Sequence, residues 1–242
     1  MRFVSTSFYI PPESISRGII RFLPDESNHI CKVMRAKPGD EVRAVDGEGH
    51  VYRVKITRAD PSRAQGEIIE AENSRVEPHT IITLGIGTIL PKRLEIAWDS
   101  CVQLGVSGLV PVRTEYSLGR LREDGRFVER LEAVSKRAML QCGRALLPRV
   151  EPPCELRELV LRDYDLILWG DEEGLPSPPA ERPKLGERIL LLVGPEGGFS
   201  SEERRIIADA GGIGLSLGPR RLRAENAAVV LSVIALRWSG DI

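Results

Sequence analysis

The 242-residue chain carries 34 Lys+Arg against 35 Asp+Glu, a formal net charge of −1, with 42% hydrophobic and 29% charged residues. This composition excludes a disordered chain, and the balanced charge excludes the whole-molecule basic field that many nucleic-acid binders use. Residues 1–72 hold 11 basic and 11 acidic side chains and the remainder 23 and 24, so any contact with RNA must come from local clusters.

Residues 1–72 read as a small β domain. Short alternating runs are separated by turn signals at Gly18, at Lys37-Pro38-Gly39-Asp40 and at Asp46-Gly47-Glu48-Gly49. Asp46-Gly47 lies between the strand candidates Glu41–Val45 and His50–Ile56 and predicts a hairpin, because a tight turn there needs positive φ. One helix is expected from Asp25 to Met34, capped by Asp25 or Ser27, with Ile30, Val33 and Met34 on one face. The polar stretch from Ala71 to His79 ends this texture, and residues 73–79 are read as a linker.

Residues 80–242 alternate between strand and helix patterns. Thr80–Leu90 reads as a strand, and Lys92–Leu104 as a helix with Leu94, Trp98, Cys101 and Leu104 on one face and Gly105 as its stop. Leu109–Val112 is a strand, Phe127–Cys142 a helix, and Leu166–Trp169, Ile189–Val193 and Ile213–Leu217 are short apolar strands. Leu175–Lys184 holds four prolines and is a loop, and Glu225–Trp238 is a final helix. The alternation predicts an α/β domain with a largely parallel sheet.

Cys31, Cys101, Cys142 and Cys154 are scattered without ligand spacing, so buried or inert thiols are expected and no metal site. The N-terminal stretch lacks the apolar core of a signal peptide. The longest apolar run, Ala227 to Leu236, is broken by Ser232 and is far short of the ~20 residues that span a bilayer. These features predict a cytoplasmic protein with no membrane partner.

Ligands of open parallel sheets bind beyond the carboxyl ends of the strands, and the loops after the late strands have the most unusual composition. The first, Gly194-Pro195-Glu196-Gly197-Gly198, puts three glycines and a proline in five positions. Ser200 and Glu203 follow as a capping box opening a helix to Ala210, so backbone N–H groups are presented at a helix N-terminus. A plain strand-to-helix turn fits the same residues. Neither a P-loop nor a G-x-G-x-x-G fingerprint is present. The second loop, Leu217-Gly218-Pro219-Arg220-Arg221-Leu222-Arg223-Ala224-Glu225-Asn226-Ala227, has three arginines within four positions, then a carboxylate at a helix start. Glu225 there could simply favour the helix dipole, with Arg223 as its ion-pair partner.

At these loops the sequence resembles the RsmE family of ribosomal RNA uridine-N3 methyltransferases, members of the SPOUT superfamily. The family's signatures are close to G-P-E-G-G-[FL]-S-x-x-E and L-G-x-R-[IV]-L-R-x-E-T-A, matched by Gly194–Glu203 and Leu217–Ala227. The likeness extends to Asn28–Arg35, Leu104-Gly105-Val106 and Gln141–Pro148. It departs at Ser100, Gln103, Tyr116, Arg137 and Leu140, where the family's charged residues are replaced, and at Asn226, where the family has threonine.

The resemblance implies an N-terminal PUA-like β-barrel that docks on RNA, followed by a SPOUT α/β methyltransferase domain with a C-terminal trefoil knot. It implies S-adenosylmethionine as cofactor, small-subunit ribosomal RNA or the 30S particle as partner, and a homodimer that uses the apolar last helix. Cofactor contacts are expected from Trp169, Gly170, Gly194, Pro195, Glu196, Gly197, Gly198, Leu215, Leu217, Gly218, Leu222, Asn226 and Ala227. RNA contacts are expected from Arg2, His29, Arg35, Arg220 and Arg221. Uracil N3 must lose a proton to attack, and Arg223 is the candidate to stabilise the resulting charge on the flanking carbonyls. Glu225 would orient Arg223 or accept the proton. A methyltransferase of transfer RNA and a non-catalytic RNA-binding assembly factor are the alternative readings, the second separated by whether the protein binds S-adenosylmethionine.

Overall fold

The structure, a computed structural model, describes residues 3–117 and 125–242, with side chains described from Ser7 onward. It divides into two compact units: Met1–Glu77 with Met139–Leu147, and Pro78–Ala138 with Pro148–Ile242.

The first unit is built on β1 (Phe3–Tyr9), β2 (Ile15–Ser16), β3 (Ile19–Arg21), β4 (Glu41–Val45), β5 (His50–Arg58) and β6 (Gln65–Asn73). They form a six-stranded sheet in the order β1-β4-β5-β6-β3-β2, with β1 parallel to β4 and the other pairs antiparallel. Phe8, Ile10, Ile20, Phe22, Val42, Val54 and Ile56 make its core. The expected hairpin joins β4 to β5, and buried Asp46 pins it. Its carboxylate accepts from the backbone N–H groups of Glu48 and His50 at 2.8 and 3.1 Å, from His50 Nδ1 at 2.7 Å and from Tyr52 Oη at 3.1 Å. Burial pushes the carboxyl up, but these hydrogen bonds outweigh it and hold the group below its usual range.

Two expectations are corrected in this unit. The helix expected over Asp25–Met34 is a short α1 (Pro24–Asn28) running into one π turn (His29–Val33), and neither Asp25 nor Ser27 caps it. Leu23 precedes Pro24, whose fixed φ starts the helix, while Ser27 Oγ donates to Phe22 O and accepts from Ala64 N inside the core. The linker expected from residue 73 begins later, because β6 pairs with β5 up to Asn73. The Gln141–Pro148 motif contributes its residues up to Leu147 to this unit: Leu147 N donates to Gly47 O, Glu77 accepts from Ala145 N and Leu146 N, and Arg144 Nε reaches Glu77 at 2.8 Å.

The second unit comprises β7 (Ile81–Gly87), α2 (Pro91–Leu104), β8 (Gly108–Arg113), α3 (Arg126–Cys142, whose last residues belong to the first unit), β9 (Arg149–Val150), β10 (Cys154–Glu155), α4 (Leu156–Val160), β11 (Leu166–Leu175), β12 (Arg188–Val193), α5 (Ser201–Asp209), β13 (Ile213–Leu215) and α6 (Ala224–Ser239). Its sheet runs β10-β8-β7-β12-β11-β13, with β9 beside β8, and every pairing is parallel. Strands buried on both faces explain the near-continuous apolar runs of the sequence. Ile82, Leu84, Ile86, Leu168, Ile189 and Leu191 pack with α2, α3 and α6, and Val110, Val112, Ile167, Leu190 and Leu192 with α4 and α5. Burial pushes the Cys101 thiol up to about 12, as expected of an inert core cysteine.

Asp241 closes the unit at its lower edge. Its carboxylate accepts from His79 N and Thr80 Oγ1, each at 2.6 Å, and from Ser239 Oγ at 2.7 Å. Burial raises its pKa, yet these donors together hold it below the ordinary carboxylate value. A depressed folded-state pKa stabilises the fold above the ordinary value, and that contribution is lost as pH falls through the folded-state value. Asp241→Asn is therefore expected to lower stability by about 1–2 kcal/mol at neutral pH. In denaturant titrations the gap to the parent protein should close below pH 3.8; a gap that stays constant from neutral to acid pH would contradict this assignment.

Candidate functional site

Strand order fixes where the site lies. β12 follows β11 in sequence but inserts between β7 and β11, and β13 lies on the far side of β11. The carboxyl ends of β12, β11 and β13 are thus neighbours, and the chain leaves each as a loop at the same sheet edge. One cleft opens there.

The loop after β12 forms its first wall. Pro195 O accepts from Gly198 N at 2.8 Å, closing a tight turn in which Gly198 has φ of 73°, a region that disfavours side chains. The turn is seated on the end of β7: a Cβ on Gly87 would lie 2.4 Å from Pro195 Cδ and 2.7 Å from Pro195 N. The expected capping box opens α5, with Ser200 Oγ accepting from Glu203 N and Glu203 Oε2 from Ser200 N. Glu203 Oε1 also accepts from Glu115 N at 2.7 Å, tying the segment after β8 to the start of α5.

The loop after β13 forms the opposite wall, and Arg221 Nη2 reaches the carbonyl of Glu196 at 3.4 Å across the cleft mouth. Trp169 and Phe199 stand edge to face at 6.1 Å between ring centroids. A third wall was not expected. β11 does not stop at Trp169: it pairs on through Gly170, bulges out over Asp171–Gly174 and pairs again at Leu175 with Leu215. The excursion brings Asp171 and Glu172 to the cleft, where Arg204 of α5 pairs with Asp171 and lies 5.4 Å over the Trp169 ring.

Of the residues anticipated for the cofactor, Trp169, Gly170, Gly194, Pro195, Glu196 and Gly197 line the cleft, as do Gly198, Leu217, Gly218, Leu222 and Ala227. Leu215 does not; it is 1% exposed and packs in the core, paired with Gly170. Asn226 is exposed on the first turn of α6, outside the lining. Arg220 and Arg221, anticipated for RNA, are exposed at the cleft. Arg223 is the N-cap residue of α6, exposed and outside the lining. Glu225 faces Arg93 of α2 at 4.0 Å, not Arg223. In the first unit Arg35 is exposed with φ of 54°, and half-buried His29 sets its ring against Phe8 at 5.5 Å between centroids. Arg2 lies outside the described residues.

Sequence reasoning missed Asp171, Glu172 and Arg204, because a polar segment between two glycines reads as an ordinary loop. It also missed Arg93, whose partners Glu196 and Glu225 lie far away in sequence.

The chemistry of this cleft is mixed. Trp169, Val193, Phe199 and Leu217 offer an apolar surface for a flat ring, glycine backbone allows close approach, and charged side chains flank the opening. Residues 76–236 match the family described as RNA methyltransferase domain, and residues 24–69 match RNA methyltransferase PUA domain. The chain belongs to the RNA methyltransferase family that this domain defines. Its likeness to the ribosomal RNA small subunit methyltransferases E, first carried by the two loops, extends over the chain. It is 28% identical to that protein of Aquifex aeolicus over 92% of this chain and 96% of the relative, and 26% identical to that of Bacillus subtilis over 84% of each. A crystal structure of the ribosomal RNA small subunit methyltransferase E of Neisseria gonorrhoeae, bound to S-adenosyl methionine, superposes with a TM-score of 0.84 at 26% identity, covering 97% of this chain and 98% of that one.

The seat of the first wall can be tested without any ligand. Gly87→Ala forces the β7 end and the Pro195 backbone apart and is expected to cost about 1–3 kcal/mol, as overpacking does. Chemical denaturation reads this directly, and an unchanged midpoint would show that the wall is not held in this way.

Proposed function

We propose that this chain is an S-adenosylmethionine-dependent methyltransferase of small-subunit ribosomal RNA that modifies uridine at N3. The observation that carries the reading is the cleft at the carboxyl ends of β11, β12 and β13, walled by the two loops whose sequences match the methyltransferase signatures. The Neisseria gonorrhoeae relative, similar over nearly its whole length, is bound to S-adenosyl methionine. The residues present fit that cofactor. Trp169, Val193, Phe199 and Leu217 suit an adenine, and the backbone of Gly194 to Gly198 and of Gly218 admits close approach. Trp169 Nε1 and Glu196 Oε2 are buried without a hydrogen-bond partner among the described residues, one a donor and one an acceptor.

When bound, S-adenosylmethionine supplies an electrophilic methyl group. The chain's residues have three tasks toward the base. The cleft walls align the base with the methyl group, and such alignment accounts for much of an enzyme's rate. Arg223, exposed beside the second wall, hydrogen-bonds the uracil carbonyl on which negative charge grows as the N3 proton departs. Glu225 Oε2, buried and without a partner among the described residues, is the candidate acceptor for that proton. Arg220 and Arg221 at the cleft mouth grip RNA phosphates, where the planar guanidinium suits a phosphate better than an ammonium does, and exposed Arg35 in the PUA unit adds a further contact.

A knotted C-terminal segment belongs to the same reading and is supported by β12 lying between β7 and β11. So does a cytoplasmic homodimer that covers Val229, Val230, Val233 and Ile234, half-buried β-branched residues of α6.

Small subunits lacking the modification, incubated with the protein and methyl-labelled S-adenosylmethionine, are expected to gain label recovered as N3-methyluridine on nuclease digestion and mass spectrometry. Label on a ribose, or in transfer RNA instead, would overturn the assignment. Arg223→Ala should lower kcat by about a hundredfold, as removal of a charge-stabilising donor does, while the Kd for S-adenosylmethionine stays close to that of the parent.

A further inference from the structure

Arg93 stands in the first turn of α2, outside both signature loops, and touches both. Its Nη1 is 3.0 Å from Glu196 Oε1 in the loop after β12, and its Nε is 4.0 Å from Glu225 Oε1 in the first turn of α6. Its side chain is 32% exposed, that of Glu196 28% and that of Glu225 13%. One partly buried cation thus serves two carboxylates from two walls of the cleft. The second oxygen of each carboxylate is buried without a partner among the described residues. An arginine can do this because its planar fork presents separate N–H edges, whereas a lysine is a single point charge. Two half-buried carboxylates close to one another repel unless a cation lies between them, and removing that cation leaves charge uncompensated away from water.

We propose that Arg93 is a positioning residue that fixes the spacing of the two cleft walls, and through it the affinity for the methyl donor. Glu196 lines the cleft itself, and Glu225 stands between Ala224 and Ala227, which line it too. A shift of either carboxylate therefore moves a wall. The inference rests on the reading of the cleft as the cofactor site.

Isothermal calorimetry with S-adenosylmethionine separates the two. Failure of the parent protein to bind overturns the functional reading itself, whereas binding by the parent sets the reference for Arg93. Arg93→Lys, whose compact ammonium lacks the breadth and fixed donor directions of the planar guanidinium, is expected to recover only part of the roughly tenfold or greater rise in Kd caused by Arg93→Ala. In the Glu196→Gln background the effect of Arg93→Ala should shrink to about threefold, because residues acting as one unit are not additive. A thermal midpoint that falls while the Kd of the folded fraction stays at the parent value would make Arg93 a stability residue only and overturn the proposal. If Arg93→Ala does not fold, Arg93→Lys decides alone: weakened binding by a folded protein supports the proposal, and parent-like affinity overturns it.

Discussion

The whole arrangement depends on one constraint of the parallel sheet, the insertion of β12 between β7 and β11. Parallel strands all point the same way, so the loops that leave neighbouring strands must emerge at one edge. Because β12 pairs with both β7 and β11, and β11 with β13, three late loops share that edge. The register is held by burial on both faces, since a slip would displace every apolar side chain of the core. Local backbone chemistry then refines what topology provides. The absent side chain of Gly87 lets Pro195 sit against the strand, and the turn closed by Gly198 exposes backbone at the mouth.

Charge completes the site. Three arginines each join separate elements: Arg93 reaches the loop after β12 and α6, Arg204 joins α5 to β11, and Arg221 joins the loop after β13 to the carbonyl of Glu196. Exposed ion pairs contribute little to stability, and Arg221, 74% exposed, is one of these. The partly buried groups differ, because unpaired charge is costly there and geometry is correspondingly specified. This accounts for an evenly charged chain with a locally patterned cleft: Arg93, Arg204 and Arg221 meet carboxylates, and Arg220 and Arg223 are exposed at its edge.

The β/α alternation of the second unit was legible because buried parallel strands and amphipathic helices leave different periodicities. The four helices expected there lie close to the observed ends of α2, α3, α5 and α6, with Gly105 as a visible stop to α2, whereas the single-turn α4 was too short to leave a periodicity. The capping box at Ser200 was legible for the same reason, a local motif with a local partner. The helix after Phe22 was misjudged because Asp25 and Ser27 are common caps in general, whereas here Pro24 starts the helix and Ser27 is spent inside the core. The return of β11 to the sheet at Leu175 was hidden by the acidic excursion between Gly170 and Gly174, which carries no apolar alternation. Glycine content pointed to the cleft, whereas the inward direction of the Leu215 side chain was not legible, because a strand's last residue can point into the core as well as out of it. Arg93 was invisible, since ion pairs across a hundred residues leave no spacing in the sequence.

The central claim is that the methyl donor occupies the edge shared by these loops. Amide spectra of the protein labelled with 15N at glycine test it most directly, because glycines mark all three walls and many distant turns. Titration with S-adenosylmethionine should shift Gly170, Gly194, Gly197, Gly198 and Gly218 while leaving Gly18, Gly39 and Gly186 in place. Shifts confined to the distant glycines, or none at saturating ligand, would contradict the account.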